Sequence, residues 1–280
     1  MTVHTIELEH VTLTRVGYLD LPVPAELLGV AADAVAAIPW AAPIWADGDQ
    51  PRIGAAAWFA DVGGRRIVYD PLLALDVVLR PDRETERTHQ DAVARLFAEA
   101  GFPPESVDLV VASHIDGIGM VARRDDAGRW APLFPEAQVL LSDVELGAFL
   151  NAARDGGEAA DDAERQAWTA LVDQGRVDTY AHGEAIVPGF VAEVSGGHGR
   201  GHAVMHVGLD RARPAVSLIG HLAVTAVHLA TGECETLNED PPAAWSLLQR
   251  TIADGRLLVG PLWPSPGYGR WVDDELHAGD

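Results

Sequence analysis

Apolar positions recur along this chain in two rhythms, and their alternation predicts the elements. Residues 55–62 and 65–70 are strand-like and flank Gly63-Gly64, which predicts a β-hairpin. Between residues 88 and 100, Ala92, Val93, Leu96, Phe97 and Ala100 fall at intervals of three and four. That spacing predicts an amphipathic helix ending at Gly101. Residues 107–113 form an apolar run of strand length, the kind buried on both faces. A strand at 137–141 follows, and Ser142 and Glu145 stand at capping-box spacing where a helix opens. Residues 151–162 collect Gly156-Gly157, acids and small side chains, and are expected to be flexible. A helix over 163–174 precedes strands at 177–180, 190–194, 203–208 and 215–219, and a helix over 241–253 leads to a strand at 256–259. With no repeat and no linker, this interleaving predicts one α/β layered domain over residues 1–280.

Charge narrows the partners. Lys and Arg number 20 against 42 Asp and Glu, a formal net charge of −22. Such a surface repels phosphate backbones and anionic lipid, so neither nucleic acid nor membrane is expected as a partner. Cys234, the single cysteine, excludes an internal disulfide and any cysteine-based zinc cluster. The first residues lack the pattern of a signal peptide, and no uninterrupted apolar run approaches 18 residues. The expected setting is the cytoplasm and the expected partner a small-molecule substrate, with a homodimer left open.

Four junctions between strand and loop concentrate reactive side chains, and function tends to sit at such places. They are Ser113-His114-Ile115-Asp116-Gly117-Ile118-Gly119, Gly196-Gly197-His198-Gly199-Arg200-Gly201-His202, Gly220-His221-Leu222 and Gly260-Pro261-Leu262-Trp263-Pro264-Ser265-Pro266. His114 reads as either a core residue or a functional group, and Asp116 as a turn cap or its partner. The glycines around His198 imply a tight backbone path or close approach of a ligand. His202 reads as structural, and His206 and His228 as packing residues. Arg200 and Arg123 are candidate anchors for a carboxylate or phosphate. Trp263, Tyr268 and Trp271 are pocket walls or core. No serine has a Gly-x-Ser-x-Gly context. Ser113 and His114, adjacent on a strand, are expected to point apart.

These blocks resemble the metallo-β-lactamase-fold superfamily, in its branch of lactonase-like, metal-dependent hydrolases. That family carries Thr-His-x-His-x-Asp-His-x-Gly after a buried strand, then Gly-His-Thr-x-Gly-His, then Gly-Asp, then a strand ending in His-Phe-Pro. Gly128-Arg129-Trp130-Ala131-Pro132-Leu133-Phe134-Pro135-Glu136-Ala137 and Ile186-Val187-Pro188-Gly189-Phe190 resemble further family segments, so the likeness spans roughly residues 55–272. It implies a four-layer αββα sandwich, two mixed sheets face to face with helices outside.

The departures bear on chemistry. The first loop is shorter than the family's, and Gly117 stands where a His ligand belongs. His198 keeps a ligand position, His221 stands at the bridging Asp, and Leu262 at the last His. A catalytic zinc needs three protein ligands and an open position, and a bridged pair needs more. The resemblance therefore leads to a site without a tightly bound metal, or with one divalent ion such as zinc on His114, Asp116, His198 and His221. The function expected is a metal-independent hydrolase, lyase or cyclase acting on a small organic molecule, of the kind used in specialised metabolism. Those four residues would act as acid, base and hydrogen-bond donors, with Arg200, Leu262, Trp263 and Tyr268 against the substrate. The alternatives are a mononuclear metallohydrolase opening a lactone or thioester, and a non-catalytic ligand-binding relative. In either enzyme His114 and His198 should lie within two strand spacings, each about 4.8 Å.

Overall fold

Two long strands, β1 (Thr2–Glu7) and β2 (Val11–Pro22), open the chain and pair antiparallel. The structure is a computed structural model describing residues 1–71, 83–115, 121–154, 163–210, 212–232 and 238–279. After the short helix α1 (Ala32–Ala36) and β3 (Ala46–Asp47), strand β4 (Gln50–Val62) pairs antiparallel with β2 and β3. Strand β5 (Arg65–Tyr69) returns on β4 through Gly63 and Gly64. Both glycines have positive φ (58° and 85°), the backbone that a two-residue hairpin turn demands. Helix α2 (Arg83–Glu99) crosses over to β6 (Leu109–Val111), which lies parallel to β5. The hairpin β7 (Ala122–Arg124) and β8 (Trp130–Pro132) leads to β9 (Gln138–Ser142). Helices α3 (Asp143–Arg154) and α4 (Ala163–Asp173) then lead to β10 (Val177–Tyr180). The first sheet runs β1-β2-β4-β5-β6-β9-β10 and is mixed.

The second sheet is built from the rest of the chain. Its strands are β11 (Ala185–Val187), β12 (Phe190–Val194), β13 (Ala203–Val207), β14 (Val216–Leu218), β15 (Leu257–Val259), β16 (Tyr268–Val272) and β17 (Glu275–Ala278), adjacent in that order. Only β14 and β15 pair in parallel. The short helix α5 (His228–Thr231) and then α6 (Pro241–Ala253) lie between them in sequence.

Three apolar layers hold these elements together. Leu13, Trp58, Tyr69, Phe190, Met205, Leu218 and Val259 fill the space between the two sheets. Phe59, Phe97, Phe102, Phe134 and Trp168 pack α2 and α4 on the outer face of the first sheet. Trp45, Val204, Leu247, Leu248, Leu258 and Trp263 pack α6 and the N-terminal segment on the second. The order helix, sheet, sheet, helix is the αββα sandwich that the resemblance implied.

Strands expected between residues 107 and 259 are present within two residues at each end, and β6, β14 and β15 are the ones buried along their whole length. The expected flexible stretch falls partly in α3; its residues 155–162 lie outside the described residues. Among the described residues, no helix is long and apolar enough to cross a membrane.

Candidate active site

The strand ends of both sheets meet at three histidines. His114 follows β6, His198 lies in the glycine-rich loop between β12 and β13, and His221 follows β14 on a single 3₁₀ turn, Gly220–Ala223. Ring centroids lie 4.7 Å apart for His114 and His198, 4.8 Å for His114 and His221, and 5.6 Å for His198 and His221. One nitrogen from each ring lies within 4.8 Å of the others. His114 and His221 are buried and His198 is half-buried. His114 and His198 are thus well inside two strand spacings.

Two of the rings are tied back by their own neighbours. His198 Nδ1 lies 2.9 Å from Asn238 Oδ1. An amide oxygen only accepts, so the ring donates from Nδ1 and keeps its lone pair on Nε2. His114 Nδ1 lies 2.8 Å from Ser113 Oγ. This corrects the expectation that Ser113 and His114 point apart: β6 ends at Val111, so the two residues sit in a turn and not on an extended strand. That turn is fixed by Asp70, whose Oδ1 accepts the Ser113 N–H at 2.7 Å.

His202 is close to the trio but is built into the scaffold. Its Nε2 accepts the backbone N–H of His221 at 3.2 Å. The Ser195 hydroxyl donates to the His202 carbonyl, so the ring donates from Nδ1 to Ser195 Oγ at 2.9 Å. With one nitrogen accepting and one donating, the ring is neutral. Burial, and then the neighbouring His114, His198 and His221, hold it well below the usual imidazole range. Gly220 makes this contact possible. A Cβ there would lie 2.4 Å from His202 Nε2, and its φ is +56°.

The glycine-rich loop is seated on α3. Glu145 accepts the N–H of Ile115 at 3.2 Å and of Gly201 at 3.0 Å, so one carboxylate joins the loop bearing His114 to the loop bearing His198. Ser142 Oγ donates to the Gly201 carbonyl at 2.6 Å and accepts the Glu145 N–H at 3.0 Å. Sequence spacing had marked Ser142 and Glu145 only as a helix cap. Their function as a clamp, and the roles of Asp70 and Asn238, depend on contacts between distant segments that no local spacing reveals.

A cleft of about 620 Å³ opens over His114 and His198, lined among others by Glu145, Asn151, Arg200 and Glu239, with His221 buried behind them. Of the four residues expected against a substrate, Arg200 lines this cleft. Leu262 packs on Ala55, with Tyr18, Leu19 and Val224 beside it. Trp263 is fully buried, its indole N–H bonded to the Ala223 carbonyl at 2.9 Å and its ring edge-on to Trp45. Tyr268 stands against Trp58 at 6.0 Å. Asp116 and Gly117 lie outside the described residues. Arg123 pairs with Asp91 at the surface, and His228 is bonded to the Leu28 carbonyl in the core.

No protein-family model matches the sequence, and no curated protein does. Solved structures do match. A hydrolase of the β-lactamase superfamily, AbOPH, aligns over 98% of this chain and 95% of its own, with a TM-score of 0.74 at 19% identity. AidC, a dizinc quorum-quenching lactonase in complex with a product, N-hexanoyl-L-homoserine, aligns over 98% and 96% with a TM-score of 0.73 at 14% identity. An N-acyl homoserine lactone hydrolase, with its product bound at the catalytic metal centre, aligns over 96% and 100% with a TM-score of 0.57 at 12% identity. At such identities the likeness speaks for architecture. Together with the paired mixed sheets, the outer helices and the histidines at the strand ends, it identifies this chain as a protein of the metallo-β-lactamase fold.

Proposed function

We propose that the chain is a hydrolase of a small acyl compound, a lactone or thioester, working with one divalent transition-metal ion held by His114, His198 and His221. The observation that carries this reading is the convergence of one nitrogen from each ring within 4.8 Å. The donor set fits the ion. Three imidazoles leave an open position on a tetrahedral metal and suit zinc and its neighbours. The ties from Ser113 and Asn238 leave Nε2 as the donor that His114 and His198 offer, as outer partners of metal ligands do. Among the described residues this is the one such group, so a bridged pair of ions has no second set of donors there. When bound, the ion supplies Lewis-acid polarisation of a carbonyl and a lowered pKa for water.

The chain's own residues divide the remaining work. Both Glu145 oxygens are taken by backbone N–H groups, so this carboxylate holds loops in place rather than moving a proton. Arg200 on the cleft wall can hold an oxyanion. Asp116, two residues after His114, is the candidate for a fourth donor or a general base. Two of the similar structures are lactonases, which supports an acyl bond as the target.

The reading is tested by turnover of a panel of lactones, thioesters and aryl esters before and after chelation. Activity is expected to fall by about a hundredfold or more and to return with zinc, manganese or cobalt. Activity indifferent to chelation would replace this reading with metal-free acid–base catalysis by the same histidines. A quieter variant probes the outer contact: Asn238→Leu removes the partner of His198 Nδ1. It should weaken zinc affinity about 10–100-fold, with the melting temperature little changed. Unchanged affinity would mean that Asn238 does not orient the ring.

A further inference from the structure

At the opposite end of β14 and β15 from the histidines, three arginines from three separate segments line one cavity of about 510 Å³. Arg213 comes from the loop before β14, Arg256 from the residue before β15, and Arg270 from β16. Asp254 is the one acid on the lining, so the wall carries a net charge of about +2 (three guanidiniums, one carboxylate). The chain as a whole carries −22, which makes a concave basic site the exception to its surface.

Two of the three guanidiniums are fixed by the protein. Arg256 is held from below by His206 Nδ1 at 3.2 Å and Ser217 Oγ at 3.4 Å, and from the side by Asp254. Its side chain is 10% exposed, and its buried Nε has no hydrogen-bond partner. Burial pulls its pKa below the usual arginine value, with Glu193 opposing, as for a cation not fully compensated. Arg270 donates to the Gly255 carbonyl from Nη1. Arg213 is exposed and makes no ion pair among the described residues. The arrangement is two anchored forks and one exposed arm around a cavity larger than a single oxyanion needs.

We infer that this cavity is a binding site for a small phosphate dianion, either free phosphate or the phosphate group of a small monoester. The dianion matches the net charge of the wall, and planar guanidinium forks pair with phosphate oxygens through two parallel hydrogen bonds. The site is remote from the histidine cleft and independent of the reaction proposed there. Its direction of access also differs: it opens beside the β14 and β15 starts, whereas His221 follows the β14 end.

Isothermal titration of the full chain with inorganic phosphate, and separately with glycerol 3-phosphate, tests this at constant ionic strength. One equivalent is expected to bind with a dissociation constant of about a millimolar or tighter for at least one probe. Arg213→Ser, at an exposed side chain that folding does not need, should weaken it about tenfold, as loss of a charged hydrogen-bond partner does. Arg270→Ser should do the same, and Arg65→Ser, on β5, should not. His198→Ala should also leave binding unchanged, which separates this site from phosphate captured in the histidine cleft. Tighter binding of glycerol 3-phosphate marks a monoester as the natural source, and tighter binding of phosphate marks the free ion. No saturable binding of either probe, or binding unaltered by both Arg213→Ser and Arg270→Ser, would overturn the inference.

Discussion

His198→Ala should cut turnover by about a hundredfold or more while leaving the melting temperature within a few degrees of the parent. The ring is half-buried on the cleft wall and is held through Nδ1 by Asn238. Removing it therefore opens no cavity in any of the three apolar layers. It does remove one of three converging donors, so metal affinity should fall in parallel with activity. His221 offers the contrast. It is 5% exposed and its ring packs edge-on against His114 at 4.8 Å, so His221→Ala leaves a buried cavity and should lose both activity and about 1–3 kcal/mol of stability. Melting curves and turnover measured on the two variants together separate the roles. Normal specific activity in a destabilised His198→Ala would show that this ring packs the loop and does nothing more.

Gly201→Ala is expected to be the most damaging small change in the site. A Cβ at this position would lie 2.3 Å from the nitrogen of Glu145, 2.4 Å from its Cβ and 2.5 Å from its Cα. These atoms belong to the first turn of α3 and cannot rotate away as a flexible side chain would. The loop must lift, which breaks the bonds from Gly201 to Glu145 and Ser142 and carries His198 and His202 with it. Overpacking together with two lost hydrogen bonds should cost about 2–4 kcal/mol. For a chain of this size that is a fall of about 5–15 °C in melting temperature. Gly199→Ala is the control, since nothing lies within 4 Å of its added Cβ. It should stay within about 0.5 kcal/mol of the parent. Equal melting temperatures for the two variants would contradict the seating of the loop on α3.

How much of this was legible in the sequence depended on whether the cause was local. The strand around Leu109–Val111 was legible because burial on both faces writes a continuous apolar run. The glycine-rich loop was legible as a close approach, although its contacts, Glu145 for Gly201 and Ala244 for Gly197, were not. Strand β2 was missed for a physical reason. Arg15 interrupts its apolar face yet is fully buried, donating to the Trp263 carbonyl at 3.0 Å and to Thr2 Oγ1 at 3.1 Å. Burial brings its pKa down to about 10, a cost that only the folded surroundings explain. The pairing of Asn238 with His198 spans 40 positions and leaves no periodic trace. The turn that brings Ser113 onto His114 arises because the strand stops two residues early, and strand ends are where apolar patterns say least.

The central claim is that His114, His198 and His221 together hold one ion. Elemental analysis of the full chain, purified without added metal and without chelator, tests it most directly. About one equivalent of a divalent transition metal is expected, falling to near zero in His198→Ala protein that is still folded. A parent protein that turns over its substrate with no stoichiometric metal, or a His198→Ala variant that keeps the full equivalent, would contradict the claim.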